Sequence, residues 1–534
     1  MSWRSILKKR RTARRKTFAA RLLRLYKRAR VLERAEKFDR ACALYEWILA
    51  AATSKTSEQT DVSDSTLATL RNPPVQLVAS NAAVKLGLLI DPAKLDESRE
   101  HFLEGLRWWP SNGMAHLNLG DLERENGSLS RALSHYSAAA ALPPAKASCS
   151  TMVKWLVDQR QESVRLASYM CALLHHANAA PNAALPYLHR FPALRYRLSG
   201  AIWQLASRRG GSMAKPRKHK AANSPEAVRR FDGCVPPLLL DALRRGFSVS
   251  APFWKETDYH RRGYYSFWYD VSCPPSNVVE VLCRHLLPLT GVADRVVGCE
   301  WWVHSRPEGR STGHQFHFDT EEVWLSRGQV FNPLVSSVTY LSGSSTADPT
   351  VVLEQRVVDK DGSAAFVSHP KVASTLFFPG DRLHCVAPSK APSDGSTDAS
   401  AASALVAAAE QPQRVTLMVG FWGVPVHAAC HRNLYDACGP MPRPKPPKRT
   451  WPAKIAVDAD ALNALHAASE EALRTTQCCE VASIDGKPWE RIPSPQQHDD
   501  WTSLAVPEGR NHRFFVSSPR ECSEQIFNPP PIDG

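Results

Sequence analysis

Residues 313–322 read GHQFHFDTEE and place His317 and Asp319 two positions apart in an apolar, strand-like run. Successive side chains of a β-strand point to opposite faces of the sheet. This spacing therefore predicts that the imidazole and the carboxylate project together, while Phe316 and Phe318 pack on the other side. With one more histidine from a distant strand, the pair would complete the two-histidine, one-carboxylate set that holds non-haem Fe(II).

A candidate for the distal histidine comes later in the chain. His384 follows an apolar run and a Pro-Gly-Asp turn in FFPGDRLHCV, which predicts a position at the start of a strand. His498 and Asp500 repeat the HxD pattern, but they lie in a polar, proline-rich tail without a strand pattern. We interpret that second pair as a chance match, because nothing there predicts a rigid support for a metal.

The run QRVTLMVGFWG, residues 413–423, predicts a strand with Arg414 and Thr416 on one face and apolar side chains on the other. Burying an arginine is costly unless a carboxylate meets it. A bound dicarboxylate would provide that partner through paired hydrogen bonds, and the threonine hydroxyl would add another. The alternative is a salt bridge within the protein, but the position of this strand after the two candidate metal-binding segments favours the ligand.

In this order the residues resemble a known signature. His317-x-Asp319, His384 and Arg414-x-Thr416 are similar to the HxD…H…RxS/T pattern of Fe(II)- and 2-oxoglutarate-dependent dioxygenases. The resemblance covers roughly residues 230–425 and is closest to the prolyl-4-hydroxylase-like branch. Further matching positions are Tyr340, Leu341, Ser342, Phe378, Pro379, Val386, Pro388 and Trp422.

The resemblance implies a double-stranded β-helix (jelly-roll) domain that uses O2 and 2-oxoglutarate to hydroxylate a substrate C–H bond. The residues that it assigns to Fe(II), and with it to catalysis, are His317, Asp319 and His384. It assigns the C5 carboxylate of 2-oxoglutarate to Arg414, with Thr416 and Tyr340 as further contacts of this co-substrate.

Two departures from the family pattern stand in the sequence. Residues 347–350 read ADPT where the family has two glycines before the threonine, and His384 lies much farther from Arg414 than is usual. The intervening residues 389–412 have the small, polar and alanine-rich composition of a disordered insertion. Such an insertion costs little stability, because loop-closure entropy grows slowly with length.

Length and composition place limits on the rest. A chain of 534 residues is too long for one ordinary core, so we expect two or three domains. The 13 cysteines are scattered without a CxxC pair, which argues against a disulfide framework or structural zinc and favours a reducing, intracellular compartment. No apolar run reaches the length of a membrane span, and the N-terminus lacks the apolar segment of a secretory signal.

The formal net charge of +15 is concentrated in residues 1–32, which contain 13 Lys or Arg and no Asp or Glu. The remainder is almost neutral, which weakens the case for nucleic acid as a partner. The basic segment is typical of a nuclear-localisation cluster, of a mitochondrial presequence, or of a solvated helix that leads into the next domain. The third interpretation leaves the cytoplasm as the default location.

Residues 33–206 predict an α-helical array. Residues 81–110 and 113–144 match each other at an offset of 34 positions, with Phe102 corresponding to Tyr136. The match resembles the tetratricopeptide repeat, in which helix pairs pack through small residues and stack into a concave binding surface. The alternative is an array of unrelated helical hairpins.

The predicted fold class is an α+β multidomain protein. Its predicted segments, in order, are a basic N-terminal segment (1–32), a tetratricopeptide-like helical domain (33–206), a linker (207–227), an oxygenase domain (228–430) and a proline-rich C-terminal extension (431–534). Strand-like runs separated by turns predict the all-β core of the oxygenase domain. The C-terminal extension suggests no function.

The leading hypothesis is a dioxygenase that hydroxylates a protein or peptide, with the helical repeats recognising a substrate or partner. A non-catalytic adaptor that retains the oxygenase fold is the first alternative, and the intact ligand set argues against it. An oxygenase acting on nucleic acid, with basic residues on the phosphates, is the second.

Overall fold

The computed structural model describes residues 3–35, 37–54, 75–90, 94–125, 128–143, 151–178, 180–191, 194–207, 224–256, 266–307, 313–321, 329–343, 348–388, 413–424, 437–438, 455–494, 514–516 and 518. The predicted insertion at 389–412, the second HxD pair at His498 and Asp500, and most of the predicted linker lie outside them. The chain divides into two compact units, Met1–Pro192 with Gln496–Glu508, and Ala193–Pro495 with Gly509–Gly534.

The described part of the first unit is helical, which confirms the predicted N-terminal helical region. Its helices are α1 Trp3–Arg34, α2 Phe38–Thr53, α3 Val75–Leu89, α4 Leu95–Trp108, α5 Gly113–Glu125, α6 Leu129–Ala140, α7 Thr151–Ala177 and α8 Pro181–Leu188. Each helix packs on the next one in the chain. None of the helices in the described segments is both long enough and apolar enough to cross a membrane.

Two glycines set the spacing between consecutive helices. A Cβ added to Gly87 of α3 would come within 2.6 Å of the Phe102 ring on α4. A Cβ added to Gly120 of α5 would come within 2.5 Å of the Tyr136 ring on α6. Each aromatic ring is buried, so it fills space that only a residue without a side chain leaves open.

The second unit is rich in strands, as predicted. They are β1 Tyr196–Leu198, β2 Arg229–Phe231, β3 Ser266–Asp270, β4 Gly298–Pro307, β5 His314–His317, β6 Val335–Tyr340, β7 Thr350–Arg356, β8 Ala364–Ser368, β9 Thr375–Pro379, β10 Arg382–Val386, β11 Gln413–Trp422, β12 Ala437–Cys438, β13 Cys478–Cys479, β14 Ala482–Asp485, β15 Trp489–Arg491 and β16 Phe515–Val516. The helices are α9 Gly200–Ser207, α10 Pro237–Gly246, α11 Pro252–Glu256, α12 Val278–Leu286 and α13 Ala459–Thr475.

The strands in the described segments form three antiparallel sheets. The largest has the order β12-β3-β4-β11-β6-β9-β2-β13, the second β14-β8-β7-β10-β5, and the third β15-β1-β16. One face of the largest sheet shares an apolar core with α10, α12 and α13. Its other face shares a smaller apolar cluster with β7 and β8 of the second sheet, so these two sheets pack face to face.

Strand β11 has buried side chains on both of its faces. Val415, Leu417 and Val419 belong to the core on the helical side, and Met418 belongs to the cluster between the sheets. Arg414 and Thr416 lie on the same side as Met418 because alternate residues of a strand share a face. The strand therefore carries the predicted polar pair toward the second sheet.

The C-terminal extension contributes to the sheets, which the sequence did not predict. Strand β13 pairs with β2, β14 pairs with β8, and both β15 and β16 pair with β1. The division near residue 192 also places β1 and α9 in the sheet-containing unit, whereas the sequence pattern ends the helical domain at 206. Helical periodicity identifies a helix but not the unit against which it packs.

Candidate metal centre

The three predicted metal ligands meet at one point. One ligand atom from each of His317, Asp319 and His384 lies within 4.8 Å of the others. Nε2 of His317 is 3.7 Å, and Nε2 of His384 is 3.6 Å, from Oδ1 of Asp319. The register accounts for the meeting, because β5 and β10 pair antiparallel with His384 opposite His317.

Asp319 lies beyond the regular strand that the sequence predicts for it, since β5 ends at His317. Two hydrogen bonds hold the aspartate in place instead. Ser336 Oγ on β6 donates to Asp319 Oδ2 at 2.6 Å, and Asn332 Nδ2 donates to the Asp319 backbone carbonyl at 2.7 Å. Strand alternation therefore positions His317, whereas side chains from a different part of the chain position the carboxylate.

The hydrogen bonds of the two imidazoles define which ring nitrogen is available. Nδ1 of His317 lies 2.9 Å from the Gln315 carbonyl, and Nδ1 of His384 lies 3.0 Å from the Arg382 carbonyl. A carbonyl oxygen only accepts, so each Nδ1 donates, which leaves Nε2 of each ring as the nitrogen that can offer a lone pair to a metal. Two nitrogen lone pairs and a carboxylate oxygen thus converge, an arrangement that a metal cation stabilises.

Aromatic residues from the C-terminal extension pack against Phe316, on the face of β5 opposite His317. Phe316 is buried, and its ring centroid lies 5.4 Å from that of Trp489 and 5.6 Å from that of Phe514. Trp489 Nε1 donates to Gln355 Oε1 on β7 at 2.9 Å, which ties the same ring to the second sheet. Phe318 is also buried, as the alternating pattern predicts.

A cavity between the two facing sheets contains the candidate ligands. It is lined by the three candidate ligands, Arg414, Thr416, Trp302, His304, His314, Val338, Thr350, Phe378 and Met418, among others. The metal group comes from the second sheet and the segment after β5, while Arg414 and Thr416 come from the largest sheet. Residues that are distant in sequence therefore face one cavity.

The predicted co-substrate residues differ in their access to this cavity. The side chains of Arg414 and Thr416 line it, although each residue is only 5% exposed. Tyr340 is fully buried and lies beside Arg414, whose guanidinium carbon is 5.8 Å from the centre of the tyrosine ring. The Tyr340 hydroxyl is 2.9 Å from Thr350 Oγ1 and donates to the Ser368 carbonyl at 3.4 Å. Tyr340 thus contacts residues around the cavity rather than lining it.

Five of the six predicted site residues line one cavity, and Tyr340 packs beside them. Sequence reasoning missed Ser336 and Asn332, which position Asp319. Alternation along β6 could have indicated Ser336, because it shares a strand face with Tyr340. No protein-family model matches this chain, and no curated protein matches it.

Proposed function

We propose that this protein is an Fe(II)- and 2-oxoglutarate-dependent dioxygenase that hydroxylates a protein or peptide. One observation carries the proposal. Two imidazole nitrogens and a carboxylate oxygen converge in a cavity whose opposite sheet contributes a buried arginine and a threonine. This donor set suits a non-haem Fe(II) with open coordination positions, and the arginine suits an anionic co-substrate.

The roles follow from the donors that each side chain offers. His317, Asp319 and His384 would hold Fe(II), which when bound supplies O2 activation coupled to decarboxylation of 2-oxoglutarate. Arg414 offers paired N–H donors to the C5 carboxylate, and Thr416 offers a hydroxyl donor to the same group. Because both residues are almost fully buried, this pairing occurs where water screens charge weakly.

The apolar side chains of the cavity serve the same chemistry. Val338, Phe378 and Met418 line it beside the polar groups. They limit the water that reaches the reacting atoms, which strengthens the electrostatic contacts and suppresses side reactions. The two facing antiparallel sheets around the cavity fit a double-stranded β-helix.

The helical unit supports a macromolecular substrate. The contacts of Gly87 with Phe102 and of Gly120 with Tyr136 repeat the same small-residue and aromatic pairing in successive helix pairs. This repetition fits tetratricopeptide-like repeats, whose stacked helix pairs present an extended concave surface. A peptide or protein segment is the kind of ligand that such a surface binds.

Direct binding measurements test the metal site. Binding of Fe(II) under anaerobic conditions and binding of 2-oxoglutarate are measured first, because turnover in this class depends on the substrate that is hydroxylated. Formation of succinate is measured alongside. We expect the His317→Ala/Asp319→Ala variant to lose Fe(II) binding. The control variant His498→Ala/Asp500→Ala removes the other HxD pair, and we expect this variant to keep Fe(II) binding. Failure of the wild-type protein to bind Fe(II) and 2-oxoglutarate would overturn the proposal.

A further inference from the structure

Helix α1 has two contrasting faces in the part where its side chains are described. Leu22, Tyr26 and Ala29 are buried in an apolar core that α1 shares with α2 and α3. The exposed residues between positions 21 and 34 are Arg21, Arg24, Lys27, Arg28, Val31 and Arg34. Five of these six carry a positive charge, so the helix presents a cationic row on a support that is fixed in the helical core.

The charges in this row are not neutralised within the described part of the chain. None of Arg21, Arg24, Lys27, Arg28 and Arg34 has a carboxylate partner among the described residues. Glu33, the acidic residue of the same helix, is held by Arg30 and Lys85 instead. Like charges three or four positions apart on a helix repel each other, and an external polyanion lying along the row would offset that repulsion.

An exposed aromatic ring lies beside the cationic row. Trp47 of α2 is 42% exposed, and the Arg21 guanidinium carbon lies 5.4 Å from the centre of its ring. Single-stranded nucleic acids bind to surfaces that place cations on the phosphates and aromatic rings against the bases. Arg21 and Trp47 together offer both kinds of contact at one place.

We propose that the exposed face of α1, together with Trp47, binds a single-stranded nucleic acid, with phosphates on the cationic row and a base stacked on the tryptophan. A membrane surface fits less well, because an interfacial helix buries its apolar face in lipid and that face of α1 is packed against α2 and α3. An acidic polypeptide would use the cations but gives Trp47 no role. The surface lies in the helical unit.

The test measures binding of a labelled oligothymidylate to the full chain by fluorescence anisotropy at several salt concentrations. We expect Arg24→Gln/Arg28→Gln to weaken binding and to make the slope of log affinity against log salt shallower by about 1.4, at about 0.7 for each phosphate contact on a single strand. We expect Trp47→Ala to weaken binding about tenfold, the order that one base stack contributes.

The matched control is Lys94→Gln/Arg107→Gln. It removes two exposed cations from the same unit that already have carboxylate partners, Glu97 and Glu100, and we expect it to leave affinity and salt slope unchanged. Two results would overturn the proposal: equal weakening by the control and by Arg24→Gln/Arg28→Gln, or no binding by the wild-type protein. Binding to anionic vesicles or to polyglutamate that equals the oligonucleotide affinity and is insensitive to Trp47→Ala would overturn the assignment to nucleic acid.

Discussion

The two faces of β11 are buried to nearly the same degree but carry different groups. Toward the helices, Leu417 is fully buried among apolar side chains. Toward the second sheet, Arg414 and Thr416 are each 5% exposed, and both are polar. Burial therefore does not separate the candidate site from the core, whereas the chemistry of the buried groups does. Substitutions at neighbouring residues of one strand can therefore distinguish effects on ligand binding from effects on stability.

The largest effect is expected from Leu417→Ala on the helical face. Removing a fully buried leucine side chain leaves a cavity and should lower the free energy of unfolding by about 2–5 kcal/mol. Chemical denaturation measures this change. We expect the Fe(II) affinity of the folded variant to stay near that of the wild-type protein, and a large loss of Fe(II) affinity would show that the two faces are not independent.

Arg414→Gln tests the cavity face of the same strand. Hydrogen bonds to charged groups contribute about 1.5–3 kcal/mol, so the affinity for 2-oxoglutarate should fall by about 10- to 100-fold while Fe(II) binding persists. Isothermal titration measures both. Arg244→Gln is the control, because Arg244 donates to the Leu341 carbonyl at 2.7 Å and does not line the cavity. An equal loss in the control would contradict a direct contact of Arg414.

Adjacent serines on β6 give the closest comparison. Ser336 donates to the candidate ligand Asp319, whereas Ser337, which also lines the cavity, donates to the Val419 carbonyl at 3.1 Å and not to a candidate ligand. Both residues are 2% exposed. Hydrogen-bond partners of metal ligands typically affect metal affinity by about 10- to 100-fold. We therefore expect Ser336→Ala to weaken Fe(II) binding by about tenfold and Ser336→Thr to restore part of it. Ser337→Ala should lower stability by about 1 kcal/mol and leave Fe(II) affinity unchanged.

Thr416→Val should give the smallest effect. The substitution keeps the shape of the side chain and removes one hydroxyl, and a single hydrogen bond contributes about 1 kcal/mol net. The affinity for 2-oxoglutarate should therefore fall about fivefold, as measured by titration of the iron-loaded protein. Unchanged affinity would show that Thr416 lines the cavity without contacting the co-substrate.

The sequence indicated the residues of the candidate site better than the residues that pack behind them. Arg414 and Thr416 could be placed on one strand face because side-chain alternation is a local property. His317, His384 and Arg414 could be grouped because their order along the chain resembles a known signature. The positions of Trp489 and Phe514 behind Phe316 could not, because Trp489 lies in a strand of three residues and Phe514 directly precedes a strand of two. Segments this short contain too few residues to show the alternation of apolar and polar side chains that predicts a strand.

The segment GHQFHFDTEE depends both on local sequence and on tertiary structure. The sequence by itself determined that His317 would lie on the strand face opposite Phe316, because side-chain alternation is fixed by the backbone. It did not determine the place of Asp319, which follows the last residue of β5. Only the tertiary structure decided that place, because the serine that orients the carboxylate belongs to a strand of the opposite sheet. Such a contact depends on packing between distant segments.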